Sequence, residues 1–272
     1  MTALTATASP PLRRPFLPLV RAEVLKLRKN RGLVLTAAAM TVGAMIVAYT
    51  ILLLLHAFNP DHHGPAGGVA NLGNGVMLLA GLGSVAAILI GAAAGAADLT
   101  SGVFRELVVT GRSRLALFTA RIPGGLAVIV SLIAAAVVIV VTVTVGFAGS
   151  LAAPSAGLLA GTVVWLLVEI AFYFAVALGL GSLLGSRAQT IAILLAWRMA
   201  VTPILLSIGA LGVARDVVPG AAFNQLAPDA IGKYVREGGA VPMSVVAAVV
   251  ALAAWTAVAL GLGAWRTATR DA

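Results

Sequence analysis

Six apolar runs alternate along the chain with short links that carry nearly all of the charge: 32–55, 75–97, 124–149, 157–184, 188–213 and 243–265. A hydrocarbon core about 30 Å thick takes roughly 20 apolar residues of helix to cross, and each run meets that length. The pattern therefore predicts an all-α polytopic membrane protein with six transmembrane helices. Before the first run, Leu17, Val20, Val24 and Leu27 fall within an arc of about 80° at 3.6 residues per turn, with Arg21, Lys26, Arg28 and Lys29 flanking or opposing it. That predicts an interfacial amphipathic helix over 17–31, its apolar stripe in one leaflet and its basic side chains at anionic headgroups of the membrane lipids. The expected organisation is a flexible cytoplasmic segment 1–16, this helix, a six-helix domain 32–265 and a cytoplasmic tail 266–272.

Composition agrees with the pattern. Mean hydropathy is +1.07, and only 10% of residues are charged, against about 25% in a soluble domain. No soluble catalytic domain has room. The net charge of +9 follows the links rather than forming a nucleic-acid footprint. With residue 1 placed in the cytoplasm, the inner segments hold fourteen of the eighteen Lys and Arg residues, the outer links hold Arg215, Lys233 and Arg236, and Arg198 falls inside a span. Basic residues in short loops resist translocation, so both termini are expected on the cytoplasmic side of the cell membrane.

The chain has no cysteine, so disulfides and thiolate metal sites are excluded. The first apolar run exceeds 20 residues and follows about 30 residues of basic lead-in, both too long for a cleaved signal peptide. An Arg-bearing, acid-poor lead also fits a mitochondrial transit peptide, which is the lesser reading. His56, His62 and His63 with Asp61 sit among Pro, Gly and Asn, which reads as a flexible outer loop rather than a metal site.

The link 98–121 carries the most specific pattern. It opens on Asp98, continues through Gly102 and Arg105 to Glu106 and Leu107, turns at Gly111, Arg112, Ser113 and Arg114, and closes on Arg121. In these positions the chain resembles the permeases of type-2 ABC exporters, whose cytoplasmic link after the second span runs from an acid through a glycine and a basic residue to a leucine-bearing helix, a Ser-Arg turn and a final basic residue. Asp98, Gly102, Arg105, Leu107, Ser113, Arg114 and Arg121 match one by one. The opening acid is Asp98 where Glu is common, and Gly111-Arg112 replaces Pro followed by an aliphatic residue. The resemblance implies a permease subunit that pairs with a second permease, as a homodimer, and couples through this link to a separate ATP-binding-cassette ATPase subunit. It implies export of hydrophobic drugs, antibiotics or lipids, with ATP and Mg²⁺ bound by the partner subunit.

The residues themselves are consistent with a non-enzymatic chain. No Gly-x-x-x-x-Gly-Lys-Ser/Thr, His-Glu-x-x-His or Gly-x-Ser-x-Gly occurs. Gly111 suits a positive φ that ends a short helix, and Ser113 suits the cap of the next, so a rigid turn presenting Arg105, Glu106, Arg112 and Arg114 is expected. Two ionisable residues lie within spans, Glu169 in the fourth and Arg198 in the fifth. At 1.5 Å per residue their depths differ by roughly 7 Å, so an ion pair is expected, serving either helix packing or a gate or substrate contact. Pro203 is expected to disturb the fifth helix. Gly91-x-x-x-Gly95 and Gly181-x-x-x-Gly185 are candidates for close helix approach, and 217–223 and 227–235 for short re-entrant or outer helices. Two other classes stand beside the permease: a secondary transporter, which calls for inverted repeats, and a membrane scaffold or sensor subunit with no ATPase partner.

Overall fold

The computed structural model describes residues 16–100, 111, 113–228, 231–232 and 241–269. Its described residues are helical with no strand. An amphipathic helix α1 (Leu17–Lys29) precedes six helices long and apolar enough to cross a membrane: α2 (Arg31–Phe58), α3 (Gly68–Thr100), α4 (Arg114–Gly146), α5 (Ala156–Leu184), α6 (Arg187–Ser207) and α8 (Val245–Thr269). A short helix α7 (Pro219–Leu226) lies between α6 and α8. The protein is an all-α, multi-pass membrane fold.

Helix starts follow capping chemistry. Asn30, Ser113, Ser155, Ser186 and Ser244 each accept a hydrogen bond from the backbone N–H three residues on, satisfying a donor that the first turn cannot. At the far end of α5, Gly185 takes φ +67° and its N–H bonds the Gly181 carbonyl, a left-handed cap that costs glycine little. Gly185 is therefore a helix stop, and the expected Gly181-Gly185 packing pair operates only through Gly181.

α3 and α5 form the buried centre, with α2, α6 and α8 outside them. Their backbones touch: a Cβ at Gly91 would lie 2.5 Å from the Phe174 carbonyl oxygen, and one at Gly95 2.5 Å from that of Leu178. Gly181 meets the backbone of Ala92 from the other side. Ser182 Oγ donates to the Gly95 oxygen at 3.2 Å across the same seam. In a bilayer, association rests on this close packing rather than on expulsion of water.

Three boundaries depart furthest from the sequence reading. The second span begins at Gly68 and the third at Arg114, so both ends of the 98–121 link are helical. The fifth ends at Ser207 rather than 213, because Ile208 turns extended and a 3₁₀ segment Gly209–Val217 follows, broken at Gly212 (φ +50°). Its middle is unwound to a π turn over Trp197–Val201, where Thr202 N–H bonds the Trp197 carbonyl. Pro203 accounts for this, since its ring would strike the Met199 carbonyl in a regular α-helix and it has no N–H to give.

Candidate functional site

Two groups of charged side chains are built into the bundle. The first sits on the π turn. Arg198 Nη1 donates to Glu169 Oε1 at 3.0 Å, Nη2 donates to the Ala80 carbonyl at 3.2 Å, and the guanidinium lies 4.6 Å from the centroid of the Tyr173 ring. One arginine thus joins α3, α5 and α6. Glu169 is only 3% exposed. A lone charge of that kind costs several kcal/mol after relaxation, and pairing with an added hydrogen bond offsets it. Insertion of one residue in the π turn changes the direction in which side chains leave the helix, and Arg198 leaves it here.

Beside the pair is a cavity of about 420 Å³, lined by Met77 and Gly81 of α3, Trp165, Glu169 and Tyr173 of α5, Arg198, Met199 and Thr202 of α6, and Phe223 and Asn224 of α7. Thr202 Oγ1 is buried on this wall without a hydrogen-bond partner among the described residues. α7 closes one side. Trp165 Nε1 donates to the Phe223 carbonyl at 3.0 Å, and the Phe223 ring packs edge-on to Phe172 at 5.3 Å. Of the two outer pieces, 217–223 is thus a 3₁₀ end and a helix folded back on the bundle; most of 227–235 lies outside the described residues.

The second group lies where α1, α3 and α4 meet. Arg121 Nη2 donates to Asp98 Oδ2 at 2.8 Å and Nη1 to the Gly95 carbonyl at 3.3 Å. Lys26 Nζ reaches both Asp98 oxygens at 3.0 Å and also pairs with Glu23. Asp98 is 4% exposed and Arg121 1%. These two ends of the 98–121 link turn their charged groups into the bundle and tie the fold there.

The amphipathic helix α1 runs from Leu17 to Lys29 and packs on the bundle. The line of Val20, Glu23, Val24 and Leu27 lies along α4, because Gly124 offers bare backbone there: a Cβ on it would come within 2.7 Å of Glu23 Cβ and 3.3 Å of the Val20 carbonyl, while Val20 and Val24 are half-buried and Leu17 stays exposed. Leu27 is buried, and Lys26 turns inward to Asp98. Arg21, Arg28 and Lys29 stay on the exposed face. An acid at the end of one span and a base near the start of the next, Asp98 and Arg121, are the trace of the cluster in the sequence.

Gly111 takes φ +78°, Ser113 caps α4 through Ala116 N–H at 3.1 Å, and Arg114 Nη1 donates to the Ala268 carbonyl of α8 at 3.1 Å. Gly102, Arg105, Glu106, Leu107 and Arg112 lie outside the described residues. In the first outer loop, His56 Nδ1 stands 2.7 Å from the His63 carbonyl, and no three His, Cys, Asp or Glu side chains converge among the described residues.

Fold and charge groups together define a polytopic helical membrane protein with one ion pair inside the bundle and one buried charge cluster at a helix end. No protein-family model matches the sequence, and no curated protein does.

Proposed function

We propose that this chain is the permease subunit of an ATP-driven ABC exporter in the cell membrane, with both termini cytoplasmic, paired with a second permease and with separate ATPase subunits. The observation that carries the reading is the contact of Asp98 with Arg121 and Lys26. An ATPase that moves a cytoplasmic link transmits force only if the helices entering and leaving that link move as one body. A buried ion pair between those two helix ends, tied also to the amphipathic helix, supplies that stiffness. The basic bias of the inner segments supports the orientation, and the match of the 98–121 link supports the class.

The cavity beside Arg198 is the candidate route for cargo. Its mixed walls suit an amphipathic molecule, in keeping with hydrophobic drugs, antibiotics or lipids.

The test is charge reversal on the link outside the ties. Arg112→Glu is the better probe, because Arg114 is engaged with α8 and its reversal would disturb that helix. The variant is expected to insert at the normal level while losing export and losing an ATPase with a phosphate-binding loop that co-purifies with the unaltered chain, since an attractive contact becomes repulsive. Unchanged export together with unchanged recovery of the ATPase would defeat the docking reading.

A further inference from the structure

A second cavity, about 250 Å³ in volume, runs between α5, α6 and α8, and its exposed wall is apolar throughout. Trp197 and Trp255 flank one end with ring centroids 5.7 Å apart, and Trp255 Nε1 is fixed by the Val217 carbonyl at 2.8 Å. Leu183 and Leu262 mark the other end. An apolar cavity of this size excludes water and accepts an apolar guest. It opens between α6 and α8, where Ile193, Val258 and Leu262 are exposed, so what faces the mouth in a membrane is hydrocarbon.

Its length and its charged end narrow the guest. From Phe172 to Leu183 the wall follows α5 for about 16 Å, close to half of a core about 30 Å thick, which is one leaflet. The facing helices then carry an arginine each toward the leaflet surface. Trp255, Val258 and Leu262 share a face of α8 with Arg266 one turn further on, and Leu194 shares a face of α6 with Arg187 two turns earlier. No carboxylate lines the groove. A volume of about 250 Å³ admits an alkyl chain along this length but not a whole helix lodged inside the groove.

We infer that this groove holds one acyl chain of an anionic membrane phospholipid, with the phosphate meeting Arg187 and Arg266. Basic pockets between transmembrane helices bind lipid headgroups by this combination of charge and depth. The assignment is independent of the exporter reading.

The experiment uses the full chain in vesicles of phosphatidylcholine containing a trace of phosphatidylglycerol with a photoreactive group midway along one acyl chain, and locates the crosslinks by peptide mass spectrometry. Crosslinks are expected on the α6 and α8 groove residues in excess over the exposed α2 face at Val47 and Ile51. Val258→Trp stands at the mouth, where the side chain is 57% exposed, and should cover the groove and remove that excess without entering the core. Arg187→Gln and Arg266→Gln should each lower groove labelling about fivefold, roughly thirtyfold together, while a matching phosphatidylcholine probe is unaffected. Equal labelling by the two probes would overturn the anionic headgroup. Groove labelling no stronger than that of α2, or a crosslink joining two copies through cysteines placed at Val258, would overturn the acyl-chain site itself.

Discussion

Arg198 meets Glu169 from the next helix at 3.0 Å, and the same guanidinium bonds the Ala80 carbonyl on a third helix. Removal of one partner strands the other at the centre of the bundle, which typically costs about 3–5 kcal/mol for a buried pair. Glu169→Gln and Arg198→Ala are each expected to destabilise strongly, Arg198→Ala more because Ala80 and Tyr173 also lose a contact. The double variant is expected to fall short of the sum of the two by about 0.5–3 kcal/mol. Unfolding of the four proteins in one detergent measures the coupling, and simple additivity would contradict the pair.

The α3–α5 seam predicts a contrast between glycines. Gly95→Ala places a methyl group against the Leu178 carbonyl, a backbone atom that cannot rotate away, so the helices must part at a cost of about 1–3 kcal/mol. Gly261 in α8 has open space around the same position. Gly261→Ala should be neutral or stabilise by roughly 0.4–1 kcal/mol, because alanine restricts the unfolded chain. Thermal unfolding of the two variants in one detergent checks the sign of each.

The six spans were legible because hydrocarbon forces a long apolar run for every crossing, and the Glu169–Arg198 contact was legible because charge at mid-depth has few alternatives. What the pattern hid was direction. The face of α1 that periodicity assigned to lipid packs on Gly124, since an apolar stripe looks the same whether a protein or a bilayer receives it. Lys26 reads as a headgroup contact in any local window, because its partner Asp98 lies 72 residues away. Pro203 announced a disturbed helix, but the π turn that aims Arg198 depends on how the chain relieves the clash.

Single cysteines test the orientation in a chain that has none. Asp61 and Ser113 lie at exposed positions on opposite sides of the expected membrane. A cysteine at Asp61 should react with an impermeant maleimide added to intact cells, and one at Ser113 only after the membrane is opened. The Ser113 variant loses an N-cap worth about 1 kcal/mol, which the fold should tolerate. Labelling of Ser113→Cys from outside would reverse the orientation on which the exporter reading depends.

The charge cluster at Asp98 predicts an order of damage that separates an internal tie from a surface contact. Arg121 has a fully buried side chain whose charge is met by Asp98, whereas the Lys26 side chain is 32% exposed and retains access to water. Asp98→Asn leaves Arg121 charged and without its carboxylate, so a loss of about 3–5 kcal/mol is expected. Lys26→Gln removes a partly solvated partner while the Asp98–Arg121 pair persists, and about 1 kcal/mol or less is expected. Arg121→Lys should also lose stability although the charge is kept, because a single ammonium cannot hold Asp98 and the Gly95 carbonyl in the directions that the planar guanidinium spans. Unfolding of the three variants in detergent, with α1 followed by protease sensitivity near Lys29, gives the ranking. If Lys26→Gln proved as damaging as Asp98→Asn, the cluster would be held together chiefly through α1, and the stiffness attributed to the α3–α4 pair would have to be reassigned to the amphipathic helix.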